Sequence, residues 1–171
     1  MFPEYDTTAR APLAGAMALH LRKQAGHALV SGLGGALAIW VLAALTQSLT
    51  HPLLIAPFGA SCVLLFALPA SPLARPRNVI GGHVLSALVG LLVLTLVGDG
   101  ILAMGLGVGL AIAAMQITGT LHPPAGGNPL VVIMTGAGWS FLALPILAGA
   151  ATLVTLAFLY HRLISKRAWP G

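Results

Sequence analysis

The stretch TLHPPAGGNPLVV, residues 120–132, interrupts a sequence that is otherwise almost entirely apolar. It contains three prolines and two glycines. Proline lacks a backbone N–H donor and glycine weakens a helix, so this segment leaves backbone polar groups that need partners. Lipid cannot supply such partners, whereas neighbouring protein segments can. We therefore expect a broken helix at this point, buried within the protein.

Composition places the rest of the chain in a membrane. Of 171 residues, 58% are hydrophobic and 6% are charged, and the mean hydropathy is +0.98. A soluble domain needs more charge than this to cover its surface. The only acidic residues are Glu4, Asp6 and Asp99. The net charge of +5 arises from Lys and Arg that flank the apolar runs, which indicates helix ends near a bilayer and not a nucleic-acid partner.

Six apolar segments predict the membrane-embedded part of the fold. A helix that crosses the hydrocarbon core needs about 20 apolar residues. Four segments approach that length, and they cover residues 28–49, 79–97, 101–117 and 141–160. Two further segments are shorter and interrupted, at 53–68 and at 129–138. The predicted fold class is an all-α membrane protein of six segments, two of them short or broken.

The basic residues orient these segments. They form three clusters, before the first segment, between the second and third, and after the last: Arg10, Arg22 and Lys23; Arg75 and Arg77; Arg162, Lys166 and Arg167. The positive-inside rule assigns all three clusters to the cytoplasm. We expect a cytoplasmic tail and interfacial helix over 1–27, a transmembrane domain over 28–162 and a cytoplasmic tail over 163–171. The predicted location is the cytoplasmic (inner) membrane, with several passes and both termini in the cytoplasm.

Two pairs of similar segments indicate an internal repeat. GLGGALAI at 32–39 resembles GLGVGLAI at 105–112, with six of eight positions identical. His51-Pro52 precedes the second segment much as His122-Pro123 precedes the fifth. Because an odd number of segments separates the copies, the two halves would have opposite orientations in the membrane. We therefore expect two inverted three-segment repeats, a plan in which interrupted segments mark the transport site.

The two interrupted segments supply the candidate binding site. If they enter from opposite faces, their helix N-termini meet in the middle of the membrane, where free N–H groups and partial positive charge favour an anion. The residues expected at this substrate-binding site are Pro57, Phe58, Gly59, Ala60, Ser61, His122, Pro123, Pro124, Ala125, Gly126, Gly127 and Asn128. No segment contains Asp or Glu, which disfavours a carboxylate proton relay or a cation site built from carboxylates.

The sequence also resembles the HPP family of integral membrane proteins, named for its His-Pro-Pro motif. Three motifs carry the resemblance: APFGASCVLLF at 56–66, SPLARPRNVIGGH at 71–83 and LHPPAGG at 121–127. Family members in chloroplasts and cyanobacteria are implicated in nitrite transport. The resemblance therefore implies a transporter or channel for a small anion, with nitrite as the leading candidate. The family motif usually has alanine where this chain has Gly127.

Other functions stay open from the sequence. A structural or sensory membrane subunit without flux would have the same composition. A haem protein needs paired histidines, but His51 and His122 are expected on opposite faces, and His83 is expected at the inner end of its helix without a helical partner. An enzyme is disfavoured because Asp99, the only carboxylate outside the N-terminal tail, is far from His122 by topology. We expect no cofactor and no metal; the expected partners are a small inorganic anion and the lipid bilayer, and a homo-oligomer is left open.

Several small and polar residues have structural interpretations. Small residues spaced by four are expected to pack helices together, and they are Gly82, Ser86 and Gly90 in one segment and Gly105 and Gly109 in another. Asn78 is interpreted as a cap of the third helix, and Asp99 as a solvated turn residue. For His122, substrate binding and a role as an interfacial anchor are equally favoured.

Overall fold

The computed structural model describes residues 10–48 and 53–170, and within these ranges every regular element is helical. The main helices are α1 (Arg10–Ser48), α2 (Ala56–Cys62), α3 (Pro76–Val97), α4 (Ile101–Ile117), α5 (Asn128–Thr135) and α6 (Ala148–Tyr160). Short 3₁₀ turns cover Pro72–Ala74, Pro123–Gly127 and Trp139–Leu142, and wider π turns cover Val63–Ala67, Ala143–Leu147 and His161–Ser165. The expected all-α fold is confirmed. His51 and Pro52, which carry part of the expected repeat, lie outside the described residues.

Three helical stretches are long and apolar enough to cross a membrane, and they are Gln24–Ser48, Pro76–Val97 and Trp139–Ser165. Two shorter apolar stretches are Ala56–Ala67 and Ile101–Ile117. Helix α5 has only eight residues. The two interrupted segments are thus confirmed as short helices, and the number of crossings stays a prediction.

Helix α1 runs without a break for 39 residues. At 1.5 Å per residue, such a helix is about 58 Å long, against a hydrocarbon core of about 30 Å. The part of α1 that precedes Gln24 therefore extends beyond the stretch that is long enough to cross. The surface position expected for residues 12–23 stays a prediction.

Helix α3 lies at the centre of the bundle and packs against both α4 and α5. A Cβ atom on Gly90 would lie 2.8 Å from Cα of Pro129. One on Gly82 would lie 2.8 Å from both Cβ of His122 and the carbonyl oxygen of Thr120. Real Cβ atoms do not approach so closely, so the packing role expected for these two glycines is confirmed.

The packing role expected for Gly105 and Gly109 is wrong. Helix α4 buries a different stripe, which recurs every four residues and consists of Ala103, Gly107, Ala111 and Met115. A Cβ on Gly107 would lie 3.0 Å from Cβ of Pro129, whereas a Cβ on Gly105 or Gly109 would meet no described atom within 4 Å. Two residues correspond to about 200° around a helix axis, so these glycines lie on the face opposite to the packed one.

Aromatic side chains hold α2 and its extension between α1 and α6. A Cβ on Gly149 of α6 would lie 2.7 Å from Cζ of Phe58, in the first turn of α2. A Cβ on Gly34 of α1 would lie 2.9 Å from Cε1 of Tyr160 and 3.0 Å from Cε1 of Phe66. These two glycines therefore let bulky rings pack directly on a helix backbone and set the position of α2.

Candidate functional site

Four polar side chains are buried together where α2, α3 and the start of α5 meet. They are Ser61, His83, His122 and Asn128, which we call the polar cluster, and each is 0% exposed. A buried polar group costs free energy unless a hydrogen bond replaces its water. The four side chains can therefore stay buried only if they form hydrogen bonds with one another or with the backbone.

Local structure brings each member into place. Ser61 lies on α2, a helix that begins around Pro57, where a missing N–H costs nothing. His122 has extended backbone angles immediately before the 3₁₀ turn Pro123–Gly127, and Asn128 is the first residue of α5. Since Gly82 of α3 has no side chain, the backbone at His122 can pack directly on α3.

The Ser61 hydroxyl joins the two histidines. Its Oγ lies 2.8 Å from Nε2 of His83 and 2.9 Å from Nε2 of His122. The two ring centroids are 5.1 Å apart. His83, expected to have no helical partner, therefore has a histidine neighbour in the extended backbone before Pro123. Its helix starts at Pro76, which places His83 on the buried face of α3.

Hydrogen-bond partners assign the proton positions in this cluster. Nδ1 of His122 lies 2.8 Å from the carbonyl oxygen of Leu73, which can only accept, so Nδ1 carries the proton. In the neutral ring, Nε2 of His122 is then an acceptor. The Ser61 hydroxyl, whose Oγ also lies 3.2 Å from the carbonyl oxygen of Pro57, donates its single proton to this Nε2 at the shorter distance of 2.9 Å. His83 must consequently donate its Nε2–H to Oγ of Ser61.

Asn128 completes the chain of hydrogen bonds. Its Nδ2 lies 3.0 Å from Nδ1 of His83 and 3.0 Å from the carbonyl oxygen of His83, so its two N–H groups donate to both. Its Oδ1 lies 3.3 Å from the same Nδ1. The side-chain amide can therefore serve either tautomer of His83. The result is a directional chain from Asn128 through His83 and Ser61 to His122 and the Leu73 carbonyl.

Three further side chains of α3 hold the 118–125 segment in place. They donate to backbone carbonyl oxygens, with Ser86 to Ala125 at 2.6 Å, Asn78 to Leu121 at 2.9 Å and Arg77 to Thr118 at 2.8 Å. The expected capping role of Asn78 is wrong, because α3 begins at Pro76 and Asn78 is already inside the helix. Its amide crosses to the neighbouring segment instead.

The structure divides the sequence-predicted site residues by exposure. Buried are Pro57, Phe58, Ser61, His122, Ala125 and Asn128; half-buried are Pro124, Gly126 and Gly127; exposed are Gly59, Ala60 and Pro123. The two interrupted segments begin close together, since a Cβ on Gly127 would lie 3.3 Å from Cγ of Pro57. A Cβ on Gly126 would meet no described atom within 4 Å, so the backbone there is accessible. The binding role of these residues stays a prediction.

The site predicted from the sequence omits His83 and the Leu73 carbonyl. For His83 a signal exists, because Gly81 and Gly82 precede it inside an apolar segment and glycine permits close approach of another chain segment. For the Leu73 carbonyl no signal exists, because every residue has one.

The histidine geometry does not suit a haem. An iron bound by both rings would lie between their Nε2 atoms with the porphyrin around it, and the Ser61 hydroxyl fills that space. Among the described residues there is also no group of three or more His, Cys, Asp or Glu side chains that could hold a metal ion.

Comparisons with known proteins identify a family for this arrangement. The family model described as HPP, transmembrane region, matches residues 20–170. Two curated transmembrane proteins of Dictyostelium discoideum are 41% and 36% identical to the chain over 125 residues. The alignments cover 68% of this chain but 44% and 40% of the relatives, so the chain spans less than half of their length. No solved structure matches the chain.

Proposed function

The chain belongs to the HPP family of transmembrane proteins, and from this premise we propose that it is a transporter or channel for a small anion. Nitrite is the leading candidate, as the sequence resemblance implies. The observation that carries the proposal is the polar cluster, which places neutral hydrogen-bond donors inside an apolar helical bundle. In this proposal the protein lies in the cytoplasmic (inner) membrane, with both termini in the cytoplasm.

The chemistry of the polar cluster suits a small anion. A hydroxyl, a side-chain amide and two imidazoles can each turn an N–H or O–H towards a negatively charged guest. The only acidic side chain of the described residues is Asp99, which is exposed between α3 and α4. No buried carboxylate among those residues therefore repels an anion. Since the members of the cluster already bind one another, an entering anion exchanges one hydrogen bond for another, which favours passage over tight retention.

Matched contacts support an inverted three-segment repeat in this transporter. Phe58, in the first turn of α2, packs on Gly149 of α6. Pro129, in the first turn of α5, packs on Gly90 of α3. In the proposed repeat α2 corresponds to α5 and α6 corresponds to α3, so the symmetry exchanges these two contacts. Transporters with such repeats hold their substrate between the interrupted helices.

The two copies of the GLG motif support the same plan. Gly34 and Ala38 are buried on α1, and Gly107 and Ala111 are buried on α4. Residues 34 and 107 are as far apart in the sequence as residues 38 and 111. The same separation relates GLGGALAI at 32–39 to GLGVGLAI at 105–112. The positions that the repeat makes equivalent therefore bury the same face of their helices.

Flux through purified protein in liposomes tests the proposal. Uptake of nitrite, nitrate, formate and chloride is compared with that of protein-free liposomes, with correctly inserted protein measured separately. We expect nitrite to move fastest. Asn128→Ala removes a donor to a charged guest, worth about 1.5 to 3 kcal/mol, so apparent affinity falls about tenfold or more.

Two glycine variants separate the anion path from protein packing. Gly126→Ala adds a methyl group in open space two residues before Asn128, and Gly105→Ala adds one in open space on α4. We expect Gly126→Ala to slow the flux and Gly105→Ala to leave it unchanged. If inserted wild-type protein carries no anion above the protein-free rate, the protein is a structural or sensory membrane subunit instead.

A further inference from the structure

The hydrogen bonds of the polar cluster form a path along which one proton can be relayed. At rest, Nδ1 of His83 and Nε2 of His122 are the two basic atoms, and the hydroxyl of Ser61 connects the rings. Both rings are fully buried. This differs from isolated buried histidines, because a proton added at one ring can be passed to the other without any movement of the backbone.

The relay balances atom by atom. A proton binds Nδ1 of His83, the Nε2–H bond of His83 breaks, and that proton forms a new O–H bond on Ser61. The original hydroxyl proton of Ser61 moves at the same time to Nε2 of His122. The added charge then resides on His122, whose Nδ1–H still donates to the Leu73 carbonyl. His83 keeps the new Nδ1–H, which donates to Oδ1 of Asn128 at 3.3 Å and replaces the hydrogen bond that Nδ2–H of Asn128 donated to Nδ1 at rest.

We propose that the Ser61-linked histidine pair binds one proton, and that this proton crosses the membrane together with the anion. The second part rests on the function proposed above. With ring centroids 5.1 Å apart, two imidazolium charges would repel each other strongly in the buried interior, so the pair holds a single proton. The chain is therefore a proton-coupled carrier of a monovalent anion, with no net charge moved in a cycle.

Surrounding groups explain why proton and anion travel together. The ionisable side chains on the elements packed around the pair are Cys62 on α2, Arg75 and Arg77 at the start of α3, and Tyr160 at the end of α6, with His161 and Arg162 just beyond it. None of these elements carries Asp or Glu. A buried charge without a counter-charge is costly, for the imidazolium as for the anion. With no carboxylate at hand, the anion is the counter-charge of the imidazolium.

An imposed pH gradient across liposomes tests the coupling. The anion carried fastest is supplied outside, and its accumulation is measured with the outside acidic, then with a potassium–valinomycin potential, each after subtraction of protein-free liposomes. One-to-one coupling predicts about tenfold accumulation for each pH unit, and no response to the membrane potential. Accumulation that follows the membrane potential and ignores the pH gradient overturns the proposal, while the proposed anion flux stands.

Serine variants locate the proton path. Ser61→Ala removes the atom that joins the rings, and we expect the response to the pH gradient to disappear. Ser165→Ala is the matched control, since it removes a hydroxyl that bonds to another buried histidine, His161. If Ser61→Ala does not insert, Ser61→Thr keeps the hydroxyl and should keep the response. Retained coupling in inserted Ser61→Ala protein contradicts the proposal.

Nitrogen NMR of labelled histidines tests proton binding without any flux. At neutral pH we expect Nε2–H on His83 and Nδ1–H on His122, and on acidification in the presence of nitrite one proton shared by both rings. If the liposomes show no anion flux, the proposed function fails, and this measurement alone judges the proton site. One shared proton supports it; two independent protonations, or none, overturn it.

Discussion

Two buried histidine–serine pairs can be compared within this molecule. In the polar cluster, Nδ1–H of His122 donates to the Leu73 carbonyl at 2.8 Å, and Nε2 accepts from Ser61 at 2.9 Å. Beyond α6, Nε2–H of His161 donates to the Leu65 carbonyl at 2.8 Å, and Nδ1 accepts from Ser165 at 2.7 Å. In each pair a carbonyl fixes the proton on one ring nitrogen and a serine hydroxyl serves the other.

The pairs differ in the other partners of the serine. Ser61 also accepts from His83, which is bound in turn by Asn128. Ser165 makes no second hydrogen bond within the described residues, and the ring of His161 packs among Phe66, Tyr160 and Trp169. Burial and satisfied hydrogen bonds are therefore common to both pairs. Connection to a second ionisable group distinguishes the polar cluster from the His161–Ser165 pair.

Removal of each serine hydroxyl should separate the two pairs most clearly. Ser61→Ala leaves a buried donor on His83 and a buried acceptor on His122, at about 1 to 3 kcal/mol each. We expect the free energy of unfolding to fall by about 2 to 6 kcal/mol, against about 1 to 3 kcal/mol for Ser165→Ala, which strands one acceptor. Reversible unfolding by SDS in mixed micelles measures both. Equal losses would mean that the pairs do not differ.

A methyl group added at Gly82, where α3 contacts His122, should disturb the polar cluster and leave the His161–Ser165 pair unchanged. A Cβ on Gly82 meets a backbone oxygen, whereas a Cβ on Gly81 meets the movable Thr120 methyl at 2.9 Å. We expect Gly82→Ala to cost about 3 kcal/mol and Gly81→Ala about 1 kcal/mol. NMR should show altered His122 signals and unaltered His161 signals in Gly82→Ala. A shift of both histidines would show that the variant disturbs the whole bundle.

The hydrogen bonds of the polar cluster all run in one direction, from Asn128 to the Leu73 carbonyl. Loss of the Asn128 amide tests which of these two ends sets that direction. Asn128→Ala removes two donated hydrogen bonds, and we expect a loss of about 2 kcal/mol in the free energy of unfolding. His83 should nevertheless keep its proton on Nε2, because the Leu73 carbonyl fixes His122, and His122 fixes Ser61. Nitrogen NMR measures this directly. A His83 that changes to Nδ1–H would show that Asn128 sets the direction.

A conservative change at His161 should have the smallest effect. The amide of His161→Gln can still donate to the Leu65 carbonyl, so we expect a loss below about 1 kcal/mol. The His83 and His122 signals and the response to a pH gradient should not change. A changed pH response in His161→Gln would join the two pairs into one functional unit and remove the contrast between them.

The long helices and the interrupted segments can be derived from the sequence because their causes are local. An apolar run at 79–97 lies inside α3, and Pro57 and Pro129 mark the starts of α2 and α5 because proline acts on its own first turn. Ser61, His122 and Asn128 are also predicted members of the site, since Ser61 lies in one interrupted segment and the other two lie in the proline-rich stretch before the second.

The direction of side chains around a helix cannot be derived in the same way. In a membrane helix that is apolar on all sides, the packed face and the exposed face have similar residues. The spacing of glycines in the sequence therefore predicts Gly105 and Gly109 as packing residues, whereas Gly107 is the one that packs. His83 is buried because a segment distant in sequence packs on Gly82. Local pattern holds no information about such a contact between distant parts of the chain.

The glycine contacts of the two short helices have a mechanical consequence. Phe58 rests on the bare backbone of α6 at Gly149, and Pro129 rests on that of α3 at Gly90, with no flexible side chain in between. A tilt of either long helix must therefore swing the start of the short helix that rests on it. Both short helices start beside the contact of Pro57 with Gly127. Opposite tilts of α3 and α6 would therefore rotate α2 and α5 about this contact.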